Sequence, residues 1–275
     1  MRPIAYPLEV GGAVTRIIEA GQGPVILFIH GLGARADRWT AMVEMLADAG
    51  YRAITFDLPG HGFASKSSDG PTTVPELAEF ATSLLDTLEI KRAVLVGTSL
   101  GAHIAAYAAC ANPSRFPRLV LVGALGIVPL ARETAEAIRR NVKASAREQI
   151  TAKLDYVMFD KTLVTPALVE EEFRMNNSPG ALESFTRMGD YVVDGIERDY
   201  VADRLRAAYR PEQILLVWGA DDHSVPLAVG EACKNALGGP ELVVISQAGH
   251  VPYVEQKAAF AEAVLKFFRK QELLF

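Results

Sequence analysis

The sequence predicts an α/β fold: a mostly parallel, twisted sheet, opened by an antiparallel hairpin and interrupted by a helical insertion. Three observations carry this. Apolar runs rich in β-branched residues alternate with amphipathic helical stretches, the pattern of a parallel sheet covered on both faces. The runs at 25–29, 53–56, 93–96, 119–122, 214–217 and 242–245 are continuously apolar rather than alternating, as strands buried on both sides are. The alternation then fails between about residues 129 and 209, where helical stretches follow one another without a convincing strand.

Taken in order, residues 8–10 and 14–17 flank Gly11-Gly12, a pair able to supply the positive φ angles of a tight hairpin turn. Thr73-Val74-Pro75-Glu76 reads as a capping box with an early proline. It leads a stripe of Leu77, Phe80, Ala81, Leu84, Leu85 and Leu88 at helical spacing. Inside the insertion, 132–147, 166–175 and 180–193 read as helices. A closing helix carries Phe260, Val264, Phe267 and Phe268 on one face, a packing stripe. These patterns divide the chain into a core of 1–128 and 210–275 and an inserted helical unit of 129–209.

Composition narrows the function. Half of the 275 residues are hydrophobic, enough for a sizeable buried sheet. The formal net charge of −5, with no cluster of lysine and arginine, argues against a nucleic-acid partner. Residues 1–10 hold Pro3 and Pro7 and no apolar core of a secretory signal. No stretch approaches the ~18 apolar residues of a membrane span. The two cysteines, Cys110 and Cys233, cannot make a disulfide framework, so a reducing cytoplasm is the simplest location. No metal-ligand spacing and no nucleotide-binding glycine fingerprint occurs, so no metal or cofactor is expected. The expected partner is a small-molecule substrate, with no membrane and with a homo-oligomer left open.

The chemistry concentrates in a few short segments. Leu95-Val96-Gly97-Thr98-Ser99-Leu100-Gly101 sets a serine between glycines where a strand gives way to an alanine-rich helix. Such a turn pushes the hydroxyl out of the sheet. Trp218-Gly219-Ala220-Asp221-Asp222 places acidic residues just past a strand end, and Ala248-Gly249-His250 places a histidine after the last strand. Upstream, His30-Gly31-Leu32-Gly33 can aim the Leu32 backbone N–H at the same point as that of Leu100, and a tetrahedral oxyanion needs two such donors.

The segments HGLG at 30–33, FDLPGHG at 56–62, GTSLG at 97–101, WGADDHSVP at 218–226 and AGHVPYVE at 248–255 resemble those of the α/β-hydrolase superfamily, in family order. The resemblance implies the α/β-hydrolase fold with 129–209 as a cap. It makes Ser99 the nucleophile, His250 the general base and Asp222 the acid, with Asp221 as the alternative. Asp222 is preferred because Trp218 and Pro226 bracket it four residues away on either side. Serine at the turn separates the chain from the haloalkane dehalogenase and epoxide hydrolase branches, which use aspartate there.

Residues 159–165 and 168–179 look similar to the lid of the meta-cleavage-product hydrolases, which cleave a carbon–carbon bond in dienoate compounds. The chain departs from them at three places: Thr98 stands where they have asparagine, Val251 where they have tryptophan, and Glu172 near their substrate-binding arginine. Arg174, with Arg187 behind it, is then the candidate cation. Three readings follow: a serine hydrolase of carboxylic esters, lactones or thioesters; a C–C hydrolase of the meta-cleavage-product type; and a ligand-binding protein without catalysis. His103, Phe159, Phe173, Arg174, Met188 and Val251 are the expected pocket residues. His30 and His61 are read as turn-shaping and His223 as a surface neighbour of the acid.

Overall fold

The structure is a computed structural model describing residues 1–270. The hairpin pairs β1 (Ile4–Val10) with β2 (Ala13–Ala20), and both turn glycines, Gly11 and Gly12, have positive φ (57° and 82°). There follow β3 (Val25–Ile29), α1 (Thr40–Asp48), β4 (Arg52–Phe56), α2 (Val74–Thr87), β5 (Val94–Thr98), α3 (Leu100–Ala111) and β6 (Leu119–Val122). The insertion consists of α4 (Arg132–Val142), α5 (Arg147–Val157), α6 (Pro166–Asn176) and α7 (Ala181–Asp194), followed by α8 (Ala202–Ala208). The chain then returns through β7 (Ile214–Gly219), α9 (Leu227–Ala236), β8 (Glu241–Ile245), α10 (Pro252–Glu255) and α11 (Lys257–Arg269).

The eight described strands form one sheet in the order β1-β2-β4-β3-β5-β6-β7-β8, antiparallel from β1 to β4 and parallel beyond. Side chains of each central strand divide between two cores. Leu27, Ile29 and Leu95 pack toward α2 and α3, while Ile26, Phe28, Val94 and Val96 pack toward α1 and α11. That division is why the strands read as unbroken apolar runs: neither face meets water. β8 is the exception. At the sheet edge it exposes Val244, so its apolar run does not mark a doubly buried strand.

Local chemistry sets the helix ends. The Glu76 carboxylate accepts the backbone N–H groups of Thr72 and Thr73 and the Thr73 hydroxyl, closing the start of α2. The helix expected over 132–147 is two helices, because the backbone breaks after Val142 and α5 starts anew at Arg147. Gln149 reaches back to the N–H groups of Ser145 and Ala146, capping the second helix. In α11, Phe260, Val264, Phe267 and Phe268 are buried as the stripe required. Cys110 and Cys233 are free thiols in α3 and α9. No helix among the described residues is long and apolar enough to cross a membrane.

Candidate active site

β5 ends at Thr98 and α3 begins at Leu100, so the whole change of direction falls on Ser99. Its φ of 55° and ψ of −119° are a strained conformation for a residue with a β-carbon. The surroundings hold it there. The Ser99 N–H donates to the Val122 carbonyl at 2.8 Å, and the Ser99 carbonyl accepts from Ala102 at 3.1 Å and Leu125 at 3.3 Å. The flanking glycines are steric necessities: a β-carbon on Gly97 would lie 2.2 Å from the Gly101 carbonyl oxygen. One on Gly101 would lie 2.4 Å from those of Ile29 and His30. Leu100 opens α3, so its N–H has no acceptor within the helix.

The second element is a histidine–carboxylate pair. His250 Nδ1–H donates to Asp222 Oδ2 at 2.7 Å, and the other oxygen, Oδ1, accepts the backbone N–H groups of Ser224 and Val225 at 2.8 Å each. A carboxylate tied at both oxygens cannot rotate, so it fixes which imidazole nitrogen carries the proton. Asp222 is buried, whereas Asp221 is half-exposed and donates its backbone N–H to the Ala248 carbonyl. Among the described residues no hydrogen bond of ordinary length joins the Ser99 hydroxyl to His250; such contacts often tighten only around substrate.

The loop at 30–33 is braced by two buried histidines. His30 Nδ1–H donates to the Gly31 carbonyl at 2.8 Å, and its Nε2 accepts the Leu58 N–H at 2.9 Å. His61 Nδ1–H donates to the Pro59 carbonyl at 3.1 Å, and its Nε2 accepts the Gly33 N–H at 3.0 Å. Both rings therefore sit as neutral tautomers, and burial pushes both pKa values down. Asp57 adds a further brace by accepting the N–H of Ala36 at 2.8 Å. Gly31 packs directly against Ser99, since a β-carbon there would lie 3.1 Å from Ser99 Cβ.

These pieces open on one cavity of about 110 Å³, lined by Ser99, His250, Leu32 and Ser224 on one side and by Ile138, Val142, Leu154 and Met158 of the insertion on the other. Residues 24–257 match the α/β hydrolase fold family. The chain belongs to the α/β hydrolases. It is 30% identical to a 2-hydroxymuconate semialdehyde hydrolase of Pseudomonas sp. (strain CF600), covering 98% of this chain and 95% of that one. It is 31% identical to the dihydrolipoyllysine-residue acetyltransferase component of an acetoin cleaving system of Cupriavidus necator, covering 94% of this chain and 67% of that one. The solved structure of a meta-cleavage product hydrolase (CumD) superposes with a TM-score of 0.85 at 25% identity, covering 98% and 99% of the two chains.

The hydrolase's cavity corrects most of the expected pocket. Of the six residues read from the sequence, Val251 lines it and the other five do not. Arg174 is 75% exposed and pairs with Glu170 on the outer face of α6, out of reach of Ser99. Phe173 lies under the Arg147 guanidinium, 3.7 Å from its ring centre. Phe159 is 43% exposed, and Met188 is buried where a β-carbon on Gly60 would lie 3.1 Å from its methyl. His103 is boxed in under Gly126 and donates Nε2–H to the Asp199 carbonyl at 2.7 Å. The His223 carbonyl accepts from the Tyr156 hydroxyl at 2.5 Å, and its ring lies 6.2 Å from the Tyr156 ring.

In place of Arg174, the cavity wall holds Arg38, Lys153 and Glu172. Glu172, read from the sequence as lying near the place of the family's substrate-binding arginine, is 2% exposed. Lys153 Nζ donates to its Oε2 at 2.8 Å and Arg38 Nη2 to its Oε1 at 2.7 Å, with Arg35 Nη1 at 3.7 Å. Desolvation opposes the charge, but the three cations win and hold the carboxyl down at about 2. Thr98 and Tyr253 also line the cavity, and neither buried hydroxyl has a hydrogen-bond partner among the described residues outside this pair. Tyr253 lies within the AGHVPYVE segment, but the sequence does not single it out as a pocket residue, and nothing marks Arg38 or Lys153, whose relevance depends on a partner far along the chain. Among the described residues no group of three His, Cys, Asp or Glu side chains is arranged to hold a metal.

Proposed function

We propose that this hydrolase cleaves small-to-medium carboxylic esters, lactones or thioesters through an acyl-enzyme on Ser99. The observation that carries the reading is the 2.7 Å His250–Asp222 bond facing the same cavity as a serine strained at a strand-to-helix turn. In this reading His250 Nε2 takes the Ser99 proton as Oγ attacks the ester carbonyl. Asp222 stabilises the imidazolium so formed. The N–H groups of Leu32 and Leu100 receive the developing oxyanion. The imidazolium then protonates the departing alkoxide or thiolate, and a water activated by His250 releases the acid. The insertion acts as a cap, its Ile138, Val142, Leu154 and Met158 giving the pocket an apolar wall that excludes bulk water.

Ser99→Ala tests this directly. Turnover of a short-chain p-nitrophenyl ester should drop by on the order of 10⁴ with the fold intact, and an organophosphate should label Ser99. Labelling of another residue would contradict the assignment.

A C–C hydrolase of the meta-cleavage-product type is the second reading, favoured by the full-length relative named for 2-hydroxymuconate semialdehyde. The charge pattern speaks against it. Both cations of the cavity lining, Arg38 and Lys153, are already taken up by the buried Glu172 carboxylate. An anionic dienoate in such a site would carry an unpaired charge, at a cost of several kcal/mol. Rates on a dienoate ring-fission product and on an ester, measured side by side, separate the two.

A further inference from the structure

The cavity wall carries an acid that the proposed chemistry does not use. Glu172 is buried in the lining, and both of its oxygens are taken by cations that line the same cavity, Arg38 and Lys153. Among the described residues these two are the only Lys or Arg in that lining. Their donors are not exhausted: Lys153 gives one of its three N–H bonds to Glu172, and an arginine has five to give. The Thr98 and Tyr253 hydroxyls add a buried pair with no partner outside it among the described residues. The wall is thus rich in hydrogen-bond donors, and its two cations share one carboxylate, so that Glu172 is the acid that holds their positive charge in check.

We propose that Glu172 is a specificity-determining residue: its carboxylate occupies the place a substrate carboxylate would take, and so reserves the pocket for uncharged groups. The proposal rests on the ester-hydrolase reading and narrows it to esters without a carboxylate on the part that meets this wall. A neutral oxygen substituent can accept hydrogen bonds from Lys153, Arg38, Thr98 or Tyr253. A second carboxylate there meets Glu172 at close range in a cavity whose lining is largely apolar, and like charges so placed repel. Removing the Glu172 charge leaves Arg38 and Lys153 with an uncompensated positive charge, and the discrimination should relax.

The test compares phenyl butyrate with monophenyl succinate, which differ by a methyl against a carboxylate at the chain end. Binding is measured on the Ser99→Ala protein, where no turnover intervenes, and read as the ratio of the two dissociation constants. That ratio is insensitive to partial loss of folded protein. Ser99→Ala should prefer phenyl butyrate by at least tenfold. Adding Glu172→Gln should shift the ratio toward the succinate by at least tenfold, and adding Lys153→Met as well should shift it back, because the lining then carries the same net charge as before either change. A ratio that moves less than twofold between the first two proteins overturns the proposal, and so does failure of phenyl butyrate to bind. Hydrolysis of phenyl butyrate by the unsubstituted enzyme is assayed separately, so failure of the ester reading shows as binding without turnover.

Discussion

Gly123 lies against the His250 imidazole: a β-carbon at position 123 would be 2.9 Å from Cε1, 3.0 Å from Nδ1 and 3.2 Å from Asp222 Oδ2. Its φ of 48° is also one that glycine tolerates best. The residue follows β6, and its N–H donates to the Val217 carbonyl at 3.0 Å, so the backbone cannot easily retreat. Gly123→Ala should push the imidazole away from its partner. A displacement of about 1 Å costs on the order of 10²-fold in rate. The expected result is that loss in kcat with a native circular-dichroism spectrum; a kcat within threefold of the parent would show that the imidazole has room to move.

Asp222 and Asp221 are neighbours with opposite environments. Asp222 accepts from His250, Ser224 and Val225, while Asp221 stays half-exposed. Asp222→Asn presents His250 with an amide that can favour the wrong tautomer. It should lower kcat by on the order of 10³–10⁴, with Asp221→Asn far milder. Reversed losses in steady-state assays of the two proteins would exchange their roles.

The contrast between these residues and the pocket explains what the sequence can reveal. Ser99, Asp222 and His250 sit on turns at strand ends, where the local pattern of apolar run, glycine and polar residue marks the position by itself. The sheet was legible for the same reason, because burial on both faces writes a continuous run. The cavity wall is not local. Glu172 meets Arg38 across 134 positions and Lys153 across 19, and which face of α6 turns inward is decided by packing on the core. Arg174, two positions on, is rotated by about half a turn and faces solvent. Gly123 escaped for a related reason: it stands outside every motif and matters only through the side chains folded against it.

Buried histidines set an acid limb on stability. Burial lowers the pKa of His103 from 6.5 to about 4, with the nearby Arg204 guanidinium acting the same way and Asp199 opposing it. His30 and His61 are lowered as well. In the unfolded chain these rings take up protons near 6.5, so between that pH and about 4 the unfolded state binds more protons than the native one. Stability is therefore complete above pH 6.5 and falls as the pH drops through that window. Urea midpoints measured from pH 7 to pH 5 should decline, and His103→Gln should make the decline shallower. An unchanged slope in that variant would remove His103 from the account.

Glu255 joins the histidine loop to the insertion. One carboxylate oxygen accepts the N–H groups of Phe159 at 2.6 Å and Asp160 at 2.9 Å, and the other accepts that of Gly249 at 2.7 Å. The same two segments meet again where the His250 N–H donates to the Val157 carbonyl at 2.8 Å. Gly249 allows that approach, since a β-carbon there would lie 2.4 Å from the Val157 oxygen. Glu255→Ala deprives three backbone N–H groups of their acceptor and should free the end of α5 from the loop that carries His250. Glu255→Gln keeps one acceptor oxygen, able to serve Phe159 and Asp160, and should fall between. Amide hydrogen exchange reports the loosening directly. Exchange at Phe159, Asp160 and Gly249 should accelerate in Glu255→Ala, and kcat should fall in the same order as the protection lost. If protection vanished while kcat stayed at the parent level, Glu255 would tether the insertion without positioning His250.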